Sequence, residues 1–168
     1  MGYSGSNTVN FEADSDDGLW RRSLYTFWRR IVGPSLFFDT AKRQVCEVKP
    51  LRTNTPMHAL TTLNDVTFVE AARALSSRSL TQTNDAAECM EFIGIQVLGR
   101  VPKISEIAVW KRSLNRAMTA FEAAPEEAKR FLNHGVSERH GELSEVEHAA
   151  WTALCLNVLN LDETLTKE

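Results

Sequence analysis

The stretch DVTFVEAARALSSRSLTQTNDAAECMEFIGIQVLG, residues 65–99, decides the fold class. Its apolar residues recur at helical spacing: Phe68, Val69, Ala72 and Leu75 make one stripe, with Arg73 and Arg78 turned outward, and Ala86, Met90, Ile93 and Val97 make a second. Boundary signals frame both runs. Asp65 and Asn84 are placed to accept from the first free N–H groups of a helix, and Gly99 stands where a helix ends in a left-handed residue. Two consecutive helices of this kind predict an all-α domain.

Toward the C-terminus the same pattern continues. A longer helix follows Pro102 and carries Ile107, Trp110, Leu114, Ala117, Met118 and Phe121. Pro125 opens a short helix with acids in its first turn and Gly135 past its end, as the helix dipole prefers. Ser144 and Glu147 have the spacing of a capping box ahead of a last helix, whose stripe is Trp151, Leu154, Cys155, Val158 and Leu161. The NLDET group, residues 160–164, reads as the polar end of that helix.

Toward the N-terminus, Thr55 before Pro56 predicts a short helix over 56–63, since proline at the first helical position loses no hydrogen bond. Residues 35–52 contain the only β-like run, around Val45–Val48, so at most one short strand or hairpin is expected. Trp20, Leu24, Phe27, Trp28 and Ile31 predict a further helix, ended by Gly33-Pro34. Residues 1–17 are Gly/Ser/Asn/Asp-rich and unperiodic, the composition of a disordered arm. The expected architecture is an arm over 1–17 and an irregular bundle of six to seven helices over 18–168.

Composition limits the function classes. A chain of 168 residues suits one domain that buries roughly two-thirds of its unfolded surface. The formal charge is −3, but residues 18–56 carry eight Lys/Arg against Asp39 and Glu47. No apolar run approaches the ~20 residues of a membrane span, and the first residues lack the pattern of a signal peptide. Cys46, Cys89 and Cys155 stand far apart without C-x-x-C-H or a zinc pattern, so no haem or other cofactor is expected on the chain and the thiols read as free and mostly buried.

Three groups of residues could carry chemistry. In GLWRRSLYTFWRR, residues 18–30, the aromatics fall within about 100° of one another on a helical wheel, while Arg22 and Arg29 project oppositely. Bases stack on aromatics that stand beside the charges, so nucleic acid is the poorer reading. Trp20, Arg21, Arg22, Trp28, Arg29 and Arg30 are read instead as interdomain or partner contacts. The segment HGVSERHGELSEVEH, residues 134–148, concentrates His134, His140 and His148 among glutamates, but without H-E-x-x-H spacing it reads as a solvated loop and not a metal site. Lastly, Arg52, Asn54, Thr55, His58, Asn64 and Asp65 gather around a helix N-terminus. They either line a small polar ligand site or satisfy the backbone of an irregular loop. No catalytic residue is identified.

Taken in order, RRSLYTFWRR, RTNTPMHALTTLNDVTFVEAARAL, VLGRVPKISE and WTALCLNVLNLDETLTKE resemble the DUF1553 domain of planctomycete-type bacteria over residues 18–168. The resemblance implies the C-terminal portion of a domain that closes large exported proteins, often alongside a cytochrome c-like domain. It transfers no catalytic residues. The family's Thr-Pro helix start is replaced here by Lys103-Ile104, and Ser105 is expected to cap in its stead.

The leading functional expectation is therefore a non-catalytic helical interaction module, contacting upstream domains of the same protein or a partner chain. Export to the periplasm or cell envelope follows from the resemblance; without it the chain would read as cytoplasmic. A carbohydrate-binding or polysaccharide-degrading component, with its pocket between Arg52 and Asp65, is the alternative. Nucleic-acid binding is the third.

Overall fold

The computed structural model describes residues 56–83, 85–139 and 143–165, apart from the side chains of residues 57 and 58. All of them belong to one compact unit, residues 47–168. The described residues form seven helices and no strand: α1 Pro56–Asn64, α2 Val66–Gln82, α3 Ala86–Leu98, α4 Ile104–Ala123, α5 Pro125–Leu132, α6 Glu145–Leu159 and α7 Asp162–Leu165. The all-α class holds. The arm, the helix expected from Trp20 and the run around Val45–Val48 lie outside the described residues.

The helix boundaries follow local chemistry. Pro56 opens α1, and the Asp65 carboxylate caps α2 by accepting from Thr67 N–H at 2.9 Å. For α3 the cap is Asp85, one residue after the expected Asn84, because its carboxylate reaches the N–H of Glu88 in the first turn. Gly99 ends α3 in the left-handed conformation, φ 70°. Lys103 is the N-cap residue of α4, and Ser105 does not cap. The Glu106 carboxylate accepts from Lys103 N–H at 2.6 Å instead. The Ser144–Glu147 box does not close either: the Ser144 hydroxyl makes no capping bond, and α6 is held by burial.

That burial organises the unit. His148, Ala149, Ala150, Trp151, Thr152, Leu154, Cys155, Leu156 and Val158 are all buried, so α6 is enclosed on nearly every side. It packs against each of the other six helices. The expected stripe was the right face of α6 but less than half of what is covered, and Leu161 lies beyond the helix, partly exposed. Around this axis Val69, Ala72 and Leu75 of α2, Met90 and Ile93 of α3, and Trp110 and Leu114 of α4 complete the main core. A smaller cluster of Ala128, Leu132 and Ala149 seats α5, beside the Phe121–Phe131 stack, 5.8 Å between ring centroids.

Small polar residues let α2 approach its neighbours closely. Ser76 Oγ and Thr152 Oγ1 lie 2.9 Å apart between α2 and α6. Between α2 and α3 the exchange is reciprocal: Ser79 donates to the Cys89 carbonyl and the Cys89 thiol to the Ser79 carbonyl. Desolvation raises the pKa of Cys89 and of Cys155, and such buried thiols are inert.

The turn after α3 packs back on the helix it leaves. A Cβ on Gly94 would collide with the ring of Pro102, which is itself buried. Gly94→Ala gains ~1 kcal/mol of helix propensity but overpacks a rigid ring at a cost of about 1–3 kcal/mol. A lower Tm by circular dichroism is the expected result.

Candidate functional site

The densest convergence of charged and polar side chains inside the described unit lies on the flank of α2 away from its apolar stripe. Arg73, expected to point outward, is 5% exposed there, and Glu70 is 4% exposed. Helical phase did turn Arg73 off the stripe; what covers it is the segment after α5, residues 133–137. The guanidinium donates to the carbonyls of Leu132, His134 and Ser137 and to the Ser137 hydroxyl, gathering the free carbonyls at the end of α5. Positive charge at a helix C-terminus is favourable in its own right.

Glu70 completes the arrangement from the opposite sense. Its Oε1 accepts from the N–H groups of Val136 and Ser137, at 2.5 and 2.7 Å, and from the Ser137 hydroxyl at 3.0 Å. The two charges are 3.5 Å apart. Burial alone would raise the Glu70 pKa, but the Ser137 and Val136 donors, with Arg73 beside them, bring it below the ordinary carboxylate range. Gly135 crosses directly over Glu70 at φ 98°, a conformation that leaves no room for a Cβ.

From α6, buried His148 reaches the same region. Its Nε2 lies 3.3 Å from the Arg73 carbonyl; a carbonyl only accepts, so Nε2 carries the proton in this contact. The cluster thus ties α2, the end of α5 and α6 together. Most of its hydrogen bonds run to backbone groups of the covering segment, the arrangement of a clamp between elements.

A second cluster faces solvent where α3, α4 and α7 meet. Arg100 makes paired hydrogen bonds to Glu106, both at 2.8 Å, and to Glu163, at 2.6 and 2.7 Å. The NLDET group therefore serves as an anchor for α7 as well as the end of α6. The Arg100 hydrogen bonds, followed by Lys103 N–H, hold Glu106 down at about 2, and Arg100 lowers Glu163 likewise.

Both folded values lie below the ~4.3 of a free glutamate, so this stabilisation is complete above that pH and is lost as pH falls toward 2. Urea midpoints are expected to drop between about pH 5 and pH 2. The drop should be shallower in Glu106→Gln and in high salt, which screens exposed pairs.

The sequence-derived ligand group is only partly within the described residues. Asn64 donates from Nδ2 to the Leu60 carbonyl at 2.6 Å, and Asp65 caps α2, so both side chains serve the α1–α2 corner. Thr62 binds Asn160 Oδ1 at 2.5 Å and fixes α1 to the end of α6. Residue 58 lies in the first turn of α1. Arg52, Asn54, Thr55 and the side chain of His58 lie outside the described residues, as do Trp20, Arg21, Arg22, Trp28, Arg29 and Arg30.

The histidine-rich segment is dispersed: His134 is exposed and lends only its carbonyl to Arg73, while His148 is in the core. Arg139 and Glu145 pair at 2.8 Å. Among the described residues no three His, Cys, Asp or Glu side chains come together as a metal site.

Glu70 and Arg73 were the residues that sequence reasoning missed. Their i, i+3 spacing was visible, and so were the serines at 76, 77 and 79, all three buried, which mark α2 as closely packed beyond its apolar stripe.

Comparison with family profiles matches residues 3–127 to a family described as a protein of unknown function (DUF1553). The match agrees with the sequence resemblance while starting earlier and ending within α5; α6 lies beyond it. No curated protein and no solved structure matches the chain.

Proposed function

We propose, from the premise that the chain belongs to the DUF1553 family of proteins of unknown function, that its helical unit is a non-catalytic interaction module. The observation that carries this reading is apolar surface gathered at two corners. Leu60, Leu63 and Val66 stand out at the α1–α2 corner, Leu60 56% exposed. Val101 and Ile104, the latter 89% exposed, stand at the start of α4, and the Arg100–Glu163 bonds bring the segment carrying partly exposed Leu161 to the same region. Isolated exposed leucines are ordinary, but grouped ones favour an interface.

The same proposal assigns partner contacts to Trp20, Arg21, Arg22, Trp28, Arg29 and Arg30, and places the module in an exported bacterial protein that works beside a cytochrome c-like domain. The basis for export and haem association is the family resemblance. No helix of the described residues is long and apolar enough to cross a membrane.

The test is the full chain in solution, measured by light scattering and by binding of a hydrophobic dye. Concentration-dependent association with dye fluorescence that falls as the chain associates is the expected outcome. A monodisperse monomer at high concentration that leaves the dye dark would overturn the module reading. For the cellular part, fractionation of the native host should place the protein in the envelope with a haem absorbance in co-purified material; a cytosolic, haem-free pool would remove that part.

A further inference from the structure

The outer face of α4 gathers three cations where the unpaired lysines elsewhere among the described residues, Lys103 and Lys129, stand singly. Arg73, Arg100, Arg130 and Arg139 each meet a carboxylate, and Arg78 lies over the Phe92 ring. Lys111, Arg112 and Arg116 are exposed, and among the described residues their side chains have no ion-pair or hydrogen-bond partner. They fall within two turns, about 8 Å along the axis, and Arg112 and Arg116 are one turn apart on the same side. The acids of α4 do not answer them: Glu106 is engaged by Arg100, and Glu122 lies near the far end of the helix.

Beside Arg112 and Arg116 the same arc is small and partly apolar, with Lys111 at its edge, about 100° around the helix from Arg112. Ser105, Ala108, Val109 and Ala120 are exposed, Val109 by 51%, so another backbone could approach α4 closely before meeting the arginines. The nearby aromatics, Trp110 and Phe121, face the other way into the core. Base stacking therefore has no platform here, and three cations are fewer than the phosphate contacts that give nucleic-acid binders their affinity.

We infer that the Ser105–Ala120 face of α4 is a docking surface for an acidic helix of another protein, small side chains setting the approach and Lys111, Arg112 and Arg116 pairing with its carboxylates. The inference rests on the module reading and adds the chemistry of one partner. Its electrostatic part steers association and should weaken with salt.

Fluorescence anisotropy of the full-length chain tests it. The probe is a labelled helical peptide of about 20 residues with glutamates on one face and alanine and leucine on the other. Matched probes carry lysine in place of glutamate, or are single-stranded oligothymidine. The glutamate peptide alone is expected to bind, with affinity falling as salt rises. Lys111→Glu/Arg112→Glu/Arg116→Glu should bind at least ~10-fold more weakly, and Lys129→Glu on α5 as well as wild type.

The neutral variant Lys111→Gln/Arg112→Gln/Arg116→Gln reports the same loss if charge reversal disturbs folding, which the melting curve of each variant shows. Equal peptide binding by the neutral variant, no binding by the wild type, or oligothymidine binding as tight as the peptide's would each overturn the inference. Since the apolar corners are untouched by these variants, self-association and dye binding report separately on the module reading.

Discussion

Replacing Arg73 with methionine is expected to lower unfolding free energy by about 3–5 kcal/mol, the usual penalty for leaving one member of a buried charge pair behind. Methionine keeps much of the volume, so the loss is electrostatic. Glu70 would stay 4% exposed with its countercharge gone, and the carbonyls of Leu132, His134 and Ser137 would each lose a donor. Removing Glu70 as well, as Glu70→Leu/Arg73→Met, should cost less than the two single changes together. The stranded charge disappears, although Val136 and Ser137 N–H remain without their acceptor. Urea denaturation of the four proteins measures the coupling. Independent additivity would mean that the two side chains do not act as a unit.

The second large effect is expected at Gly135. Its φ of 98° is unfavourable for any residue with a Cβ, and the Cβ of alanine would overlap the Glu70 carboxylate and its adjoining carbons. A glutamate at the surface would swing away at little cost. Glu70 has no such freedom, since it is buried and held by three hydrogen bonds from the segment that Gly135 belongs to. Gly135→Ala should therefore destabilise by about 3–4 kcal/mol, combining backbone strain with disruption of the buried pair. Combined with Glu70→Ala, the same substitution should cost only its backbone part, about 1–2 kcal/mol. Thermal melts of the single and double variants distinguish the two contributions.

Both predictions concern residues whose partners in the covering segment are 59 to 67 positions away, and that separates what was legible from what was not. Val69, Ala72, Leu75, Met90, Ile93, Trp110 and Leu114 were readable because burial recurs at the helical period within a short window. Pro56, Asp65 and Gly99 were readable because their roles are local. Arg73 was expected to turn outward and is instead buried, because its cover comes from residues 133–137, which no periodicity connects to α2.

At the ends of helices, competition between neighbouring groups decided the outcome. Asp85 took the role expected of Asn84, and Glu106 that of Ser105. In α6 the signal was present in a different form. Ala149, Ala150, Thr152 and Leu156 add to the stripe until no polar face is left, as in a helix surrounded by others. Of the ligand group, Asn64 and Asp65 have local roles that spacing could suggest, whereas a pocket would require long-range convergence that spacing alone does not encode.

The enclosed position of α6 also bears on the order of events at the ribosome. Helices α2, α4 and α5 are synthesised before the element against which each makes its principal contact. As the chain emerges they can form turns of helix but have no axis to close upon, so their apolar faces stay open until residues 145–159 leave the exit tunnel. A nascent chain arrested near residue 140 should be protease-sensitive and held by chaperones; one extended past Leu165 into a linker should acquire protection in a single step.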